Sequence, residues 1–121
     1  MTPLALGLAL LPVPMLAKDF YVSPGGADSN SGSAEAPFKT VVAARDAIRD
    51  LSASERAEDI NVYLRGGVYP IHETLVFNVQ DGAPEGAVVR YRAYEGEEPV
   101  LSSGVSVSSW TKLKDAPDAL P

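Results

Sequence analysis

The sequence predicts a mainly β fold in which short strands meet at glycine corners and one amphipathic helix lies against them. Three stretches carry that prediction. Ile60, Val62 and Leu64 alternate with Asn61 and Tyr63, the two-residue period of a half-buried strand. Gly66 and Gly67 break the run, because glycine alone takes positive φ or admits a close backbone neighbour without steric cost, and a second β-rich run resumes at residues 74–77. Residues 40–51 show the only sustained helical period. Strands joined through a corner with no helix between them are how a solenoid coil is built, although short strands with such punctuation also suit a sandwich or a barrel.

Taken in order, Phe20, Tyr21 and Val22 form a short strand that Pro24, Gly25 and Gly26 end. Small and polar residues follow from Ala27 to Ala36, an ordered surface loop with Asp28, Asn30 and Gly32 spaced two apart. Thr40 is placed to cap the helix, its hydroxyl accepting from a free amide of the first turn. Val41, Ala44, Ile48 and Leu51 make the apolar stripe, with Arg45, Asp46, Arg49 and Asp50 on the other side, read as solvated. The stripe must be buried, and the β region that follows is the available partner. Residues 52–59 read as a loop or one more helical turn. Residues 87–94 are the next strand, with Val89, Tyr91 and Ala93 on one face and Arg90 and Arg92 on the other. Val100 and Leu101, then residues 105–108, give two further short strands. No tight two-residue turn flanked by matched alternating runs appears, which disfavours hairpins, and no strict internal repeat is visible.

Composition narrows the classes. A chain of 121 residues holds one modest core. Its net charge of −6 gives no electrostatic footprint for nucleic acid or an anionic membrane surface, and the lack of cysteine excludes disulfides and thiolate metal sites. Residues 1–17 carry no charged side chain and include an apolar run from Leu4 to Leu11, too short to span a bilayer as a helix. They read as a signal peptide and set an expectation of a secreted or periplasmic protein, although no Lys or Arg precedes the apolar run.

The stretch from Phe20 through Gly32, then Pro37-Phe38-Lys39-Thr40, Ala44 to Arg49, Val62 to Tyr69 and Tyr91 to Val100, resembles the N-terminal region of secreted bacterial right-handed parallel β-helix proteins of the pectate-lyase-like superfold, including β-helical glycoside hydrolases. The resemblance implies a division into a signal peptide (1–17), an N-terminal strand, loop and capping helix (18–59), the first β-helix coils (60–110) and the start of a connecting segment (111–121). It implies that the helix seals the open end of the coil stack and shields apolar side chains and strand edges. It also implies a longer protein, a glycoside hydrolase or polysaccharide lyase acting on a polysaccharide or oligosaccharide, with its active site on later coils. A non-catalytic carbohydrate-binding or cell-surface scaffold module is the alternative, because this fold hosts many functions. A free-standing small β domain is a third.

No catalytic constellation is legible. Glu95, Glu97 and Glu98 sit in a polar turn, whereas glycosidic acid catalysis needs a desolvated carboxyl. His72, the only histidine, has no identifiable partner beyond its neighbour Glu73. Arg65, ahead of Gly66 and Gly67, is the weak candidate for holding a sugar carboxylate and reads more naturally as an arginine that bonds corner carbonyls. Arg90 and Arg92 are placed to pair with the 95–98 turn. Asp28 and Asn30 resemble the start of a calcium loop, but Lys39 stands where an EF-hand needs glutamate, so calcium is a weak candidate and an Asx-turn the plainer reading. The tyrosines and Trp110 read as core or coil-stacking residues. Thr40, Val41, Ala44, Ile48, Leu51, Gly66 and Gly67 are structural.

Overall fold

The computed structural model describes residues 17–115. The apolar N-terminal run, with its expected signal-peptide role, and the last six residues lie outside them. Strand β1 (Lys18–Val22) leads through a loop to helix α1 (Val41–Arg49) and a single further turn, α2 (Ala53–Arg56). Strand β2 (Ile60–Leu64) turns a corner into β3 (Gly67–Pro70). A 3₁₀ turn (Val79–Asp81) precedes β4 (Val89–Ala93), which turns a matching corner into β5 (Pro99–Ser102).

Every strand pair is parallel. One sheet runs β1-β2-β4 and the other β3-β5, so each later strand stacks on an earlier strand of its own sheet, the arrangement consistent with a β-helix. The register aligns Phe20, Val62 and Tyr91 in one row and Val22, Leu64 and Ala93 in the next, all facing inward. Outward rows carry Asp19, Asn61 and Arg90, then Tyr21, Tyr63 and Arg92.

Helix α1 begins as its sequence dictates. Thr40 Oγ1 accepts from the Ala43 amide at 3.1 Å, and Val41, Ala44 and Ile48 bury themselves against Phe20, Val22, Ile60 and Val62. Leu51, past the helix end, packs partly buried on the same core. The helix therefore covers the interior of the stack, but it does not cover the strand edge, contrary to expectation. The lower edge of β1 is paired by the loop instead: Tyr21 donates to the Gly32 carbonyl, Phe38 donates to the Tyr21 carbonyl, and Ser23 donates to the Phe38 carbonyl, all within 2.9 Å. Only an extended backbone can present alternate amides and carbonyls at strand spacing, so a helix is the wrong shape for the task. Gly32, at φ +79°, makes this pairing possible, since a Cβ there would lie 2.3 Å from the Phe38 ring.

Four other expectations are corrected. The strand after the first corner is Gly67–Pro70, and residues 74–77 form none. The Val76 carbonyl accepts from Arg45 Nη1 at 2.9 Å, Leu75 packs on the core, and Phe77 meets Tyr91 edge-on at 5.2 Å. Residues 105–108 are likewise no strand, and Val105 and Val107 are exposed. Strand β2 is covered on both faces: Asn61 is buried as well as Ile60, Val62 and Leu64. Finally, the polar side of α1 is not simply solvated. Arg49 grips Asp81 through two bonds of 2.5 and 2.8 Å, and Arg56 of α2 donates to the carbonyls of Gln80 and Gly82. These arginines strap the returning segment 76–82 onto the cap.

The two ends of the stack differ. In a parallel pair each residue turns both backbone groups toward one neighbour, alternating along the strand. Ile60 donates to the Val88 carbonyl and Tyr94 to the Leu64 carbonyl, so Val88, Arg90, Arg92 and Tyr94 face β2. The amides and carbonyls of Val89, Tyr91 and Ala93 consequently face away, along an edge with no partner among the described residues. The bottom of the stack is sealed and the top is open.

Candidate functional site

The outer surface of the first sheet and its adjoining corner concentrate the chemistry-bearing side chains. Because parallel register places like positions above one another, Tyr21 stacks on Tyr63 at 5.3 Å between ring centroids and 25° between planes. The Arg92 guanidinium covers Tyr63 at 5.2 Å. Tyr94, from the corner after β4, meets Tyr63 edge-on at 6.1 Å and carries the Arg65 guanidinium over its own face at 4.6 Å. Ring faces are thus spent on one another and on cations, which fits coil stacking and leaves little open platform for a sugar ring. Beside this stack the Asn61 amide donates to Asp19 at 2.9 Å, and its carbonyl accepts from Arg92 at 2.8 Å. A buried asparagine so satisfied on both ends holds three stacked strands in one register.

Arg65 does not bond corner carbonyls, nor does it stand free for a substrate. Its guanidinium makes a bidentate pair with Glu97 at 2.8 and 2.7 Å, and the Gly66 amide donates to the same carboxylate at 2.7 Å. Those donors, the arginine first, hold the Glu97 carboxyl down at about 2, well below the usual carboxylate range. Glu97 is therefore no solvated turn residue and no proton donor near neutrality. It ties the first corner to the second. Gly67 completes that corner at φ +126°, where a Cβ would come within 2.8 Å of Pro24 Cγ.

Asp28 and Asn30 are also committed. One Asp28 oxygen accepts from the amides of Lys39 and Thr40 and the other from the Thr40 hydroxyl, while Asn30 donates to the Pro37 carbonyl. The loop closes on the start of α1 through bonds between residues distant in sequence, so these side chains do not make the expected short-range Asx-turn. Among the described residues no three His, Asp or Glu side chains are grouped to share a metal ion. His72 and Glu73 are exposed beside the segment that leaves β3, and Glu95 and Glu98 are exposed in their turn. Arg90 pairs with Asp59 at 2.7 Å and Arg92 with Asn61, so neither reaches the 95–98 turn. No helix among the described residues is long and apolar enough to cross a membrane.

Two important groups escaped the sequence reading. Asp81 is buried, and the Arg49 guanidinium holds its carboxyl at about 2 despite the opposing effect of burial. Tyr91, expected to line one strand face, has its hydroxyl pushed up to about 12, chiefly by burial and then by the Asp81 charge. Aligning residues 60–64 with 89–93 is the signal that would have found the ladder positions.

No family model matches the chain. It is 39% identical over 90 residues to the uncharacterized protein YwoF of Bacillus subtilis and 35% identical over 95 residues to pectate lyase PEL9 of Emericella nidulans. Those matches cover 74% and 77% of this chain, and the chain spans only 16% and 20% of the two relatives. Among solved structures it superposes on a glycoside hydrolase with a TM-score of 0.75 at 26% identity, over 81% of this chain and 17% of the other. A structure of XylC with xylose shares the fold at a TM-score of 0.52 and 19% identity, over 80% of this chain and 14% of the other. The chain is thus a mainly β, parallel-stranded relative of a pectate lyase and of a glycoside hydrolase, matching a minor part of each.

Proposed function

We propose that this chain forms the capped base and first coils of a right-handed parallel β-helix in an exported, polysaccharide-acting protein, a glycoside hydrolase or polysaccharide lyase, and that this portion is structural. One observation carries the reading: a register-matched stack whose lower edge is sealed and whose upper edge leaves the backbone of Val89, Tyr91 and Ala93 unpaired. An edge of that kind is a template for a further coil and a liability if left bare. The similarity to a pectate lyase and a glycoside hydrolase supports the substrate class, and the uncharged apolar N-terminal run supports export. The carbohydrate chemistry belongs to later coils, because Arg65, Glu97, Asp28 and Asn30 here are all engaged in holding corners and loop.

The test is to express the longest reading frame containing this segment with its own leader, and then assay the culture medium on pectic, xylan and glucan substrates. Reducing ends alone indicate hydrolysis, and an ultraviolet-absorbing unsaturated product indicates lyase chemistry. A cytosolic protein inert on every polysaccharide would sink the proposal. The engagement of Arg65, Glu97, Asp28 and Asn30 also favours a second reading, a carbohydrate-binding scaffold, which would show binding to the polysaccharide without product.

A further inference from the structure

We propose that the open edge of β4 is built to receive a strand that is apolar on its inner face and acidic on its outer face, and to refuse a second copy of this chain. The inference rests on the reading of this chain as the first coils of a longer stack, and it names the chemistry of what lies on them. Inward, an incoming strand meets Val89, Tyr91 and Ala93, which continue the rows of Ile60, Val62 and Leu64 and call for apolar side chains. Outward it meets arginines. On β4 these are Arg90, which already has a carboxylate, Asp59, at 2.7 Å, and Arg92. Arg92 has only the neutral Asn61 oxygen and the Tyr63 ring, with no carboxylate in ion-pair range among the described residues.

The same arginines argue against self-pairing. Two copies meeting edge to edge about a two-fold axis would run antiparallel with Tyr91 opposite its counterpart. That register sets Arg90 of each copy directly across from Arg92 of the other, at the non-hydrogen-bonded positions where side chains are closest. Like charges so placed oppose the pairing, which is how natural edges resist aggregation. Asp or Glu on the outer face of an incoming strand converts the same arginines into attraction.

The test uses the full chain and two labelled peptides, one alternating Val with Asp and the other Val with Lys, read by fluorescence anisotropy. The Val/Asp peptide is expected to bind saturably and about fivefold more tightly than the Val/Lys peptide, the equivalent of one strong cross-strand charge pair. Arg92→Glu should reverse the order, and Arg92→Gln should level it if the glutamate variant does not fold. In light scattering the wild-type chain should remain monomeric, whereas Arg92→Glu should gain dimer, since each Arg90 would then face a glutamate. Equal binding of both peptides, binding of neither, or a wild-type dimer would overturn the proposal. These outcomes are independent of whether the longer protein cleaves any polysaccharide, so a failed glycan assay and a failed peptide assay are separable.

Discussion

Ile48 offers the sharpest test of the lid. It is 1% exposed, the largest side chain that α1 contributes to the interior, and it packs in the cluster with Phe20, Val22, Ile60 and Val62. Truncation to alanine removes three buried carbons and leaves a cavity that a stack of hydrogen-bonded coils cannot collapse around, so Ile48→Ala should cost about 2–5 kcal/mol. Ile48→Asp adds an unpaired carboxylate in an apolar setting, a further penalty of several kcal/mol by order of magnitude. Against a total stability of roughly 5–15 kcal/mol for an ordinary domain, the first change weakens the fold and the second abolishes it. Asp46→Ala, two residues away, removes a half-exposed carboxylate that pairs only with neighbouring Arg45 and Arg49, and should be nearly silent. Urea unfolding followed by near-ultraviolet circular dichroism of the tyrosines reads the difference. Trp110 is 85% exposed and would not report on the core. Equal midpoints for Ile48→Ala and Asp46→Ala would refute the idea that α1 seals the stack.

Acid should loosen the corners and the strap. Glu97, Asp81 and Glu55 titrate at about 2 in the folded chain against ordinary values of 4.5, 3.8 and 4.5. Depressed folded values mean the stabilisation is fully present above the unfolded values and is lost as pH falls from about 4.5 toward 2, which thermal melts across that window will show and Glu97→Gln will flatten. Gly67→Ala should lower the melting temperature markedly, because it combines strained backbone with a clash on Pro24; Gly25→Ala, whose nearest contact would be 4.0 Å away, should not. Arg49→Ala should release the strap, read as faster proteolysis within residues 76–82 and no change in the β1–β2 amide protection. Arg65→Lys should weaken the corner nearly as much as Arg65→Ala, since an ammonium cannot reproduce the bidentate grip on Glu97.

The sequence disclosed those parts of the fold that follow from local rules. Thr40 as cap and Val41, Ala44 and Ile48 as stripe were legible because helical spacing and capping are short-range. Strands β2 and β4 were legible because alternation survives even where both faces are covered. What was lost depended on partners distant in sequence. The 74–77 and 105–108 runs have strand chemistry, but a strand needs an edge, and whether one lies alongside is a property of the stack. Arg49 and Asp81, or Arg65 and Glu97, are about thirty residues apart, so neither pairing could be read from local spacing.

The same long-range pairing engages several of the polar groups weighed as candidates. In a stacked architecture a site requires several coils in register, each adding one or two polar groups to a common face. Among the described residues, many polar side chains are spent on holding the fold together. Asp28 holds the start of the lid, Glu97 joins two corners, Asp81 holds the returning strap, and Asn61 fixes the register of three strands. Arg92 differs from these, since it lies at the top of its row with a neutral oxygen below and no carboxylate in ion-pair range among the described residues. A guanidinium without an acidic partner on an open strand edge favours an acidic neighbour there, which is what the proposal for that edge requires.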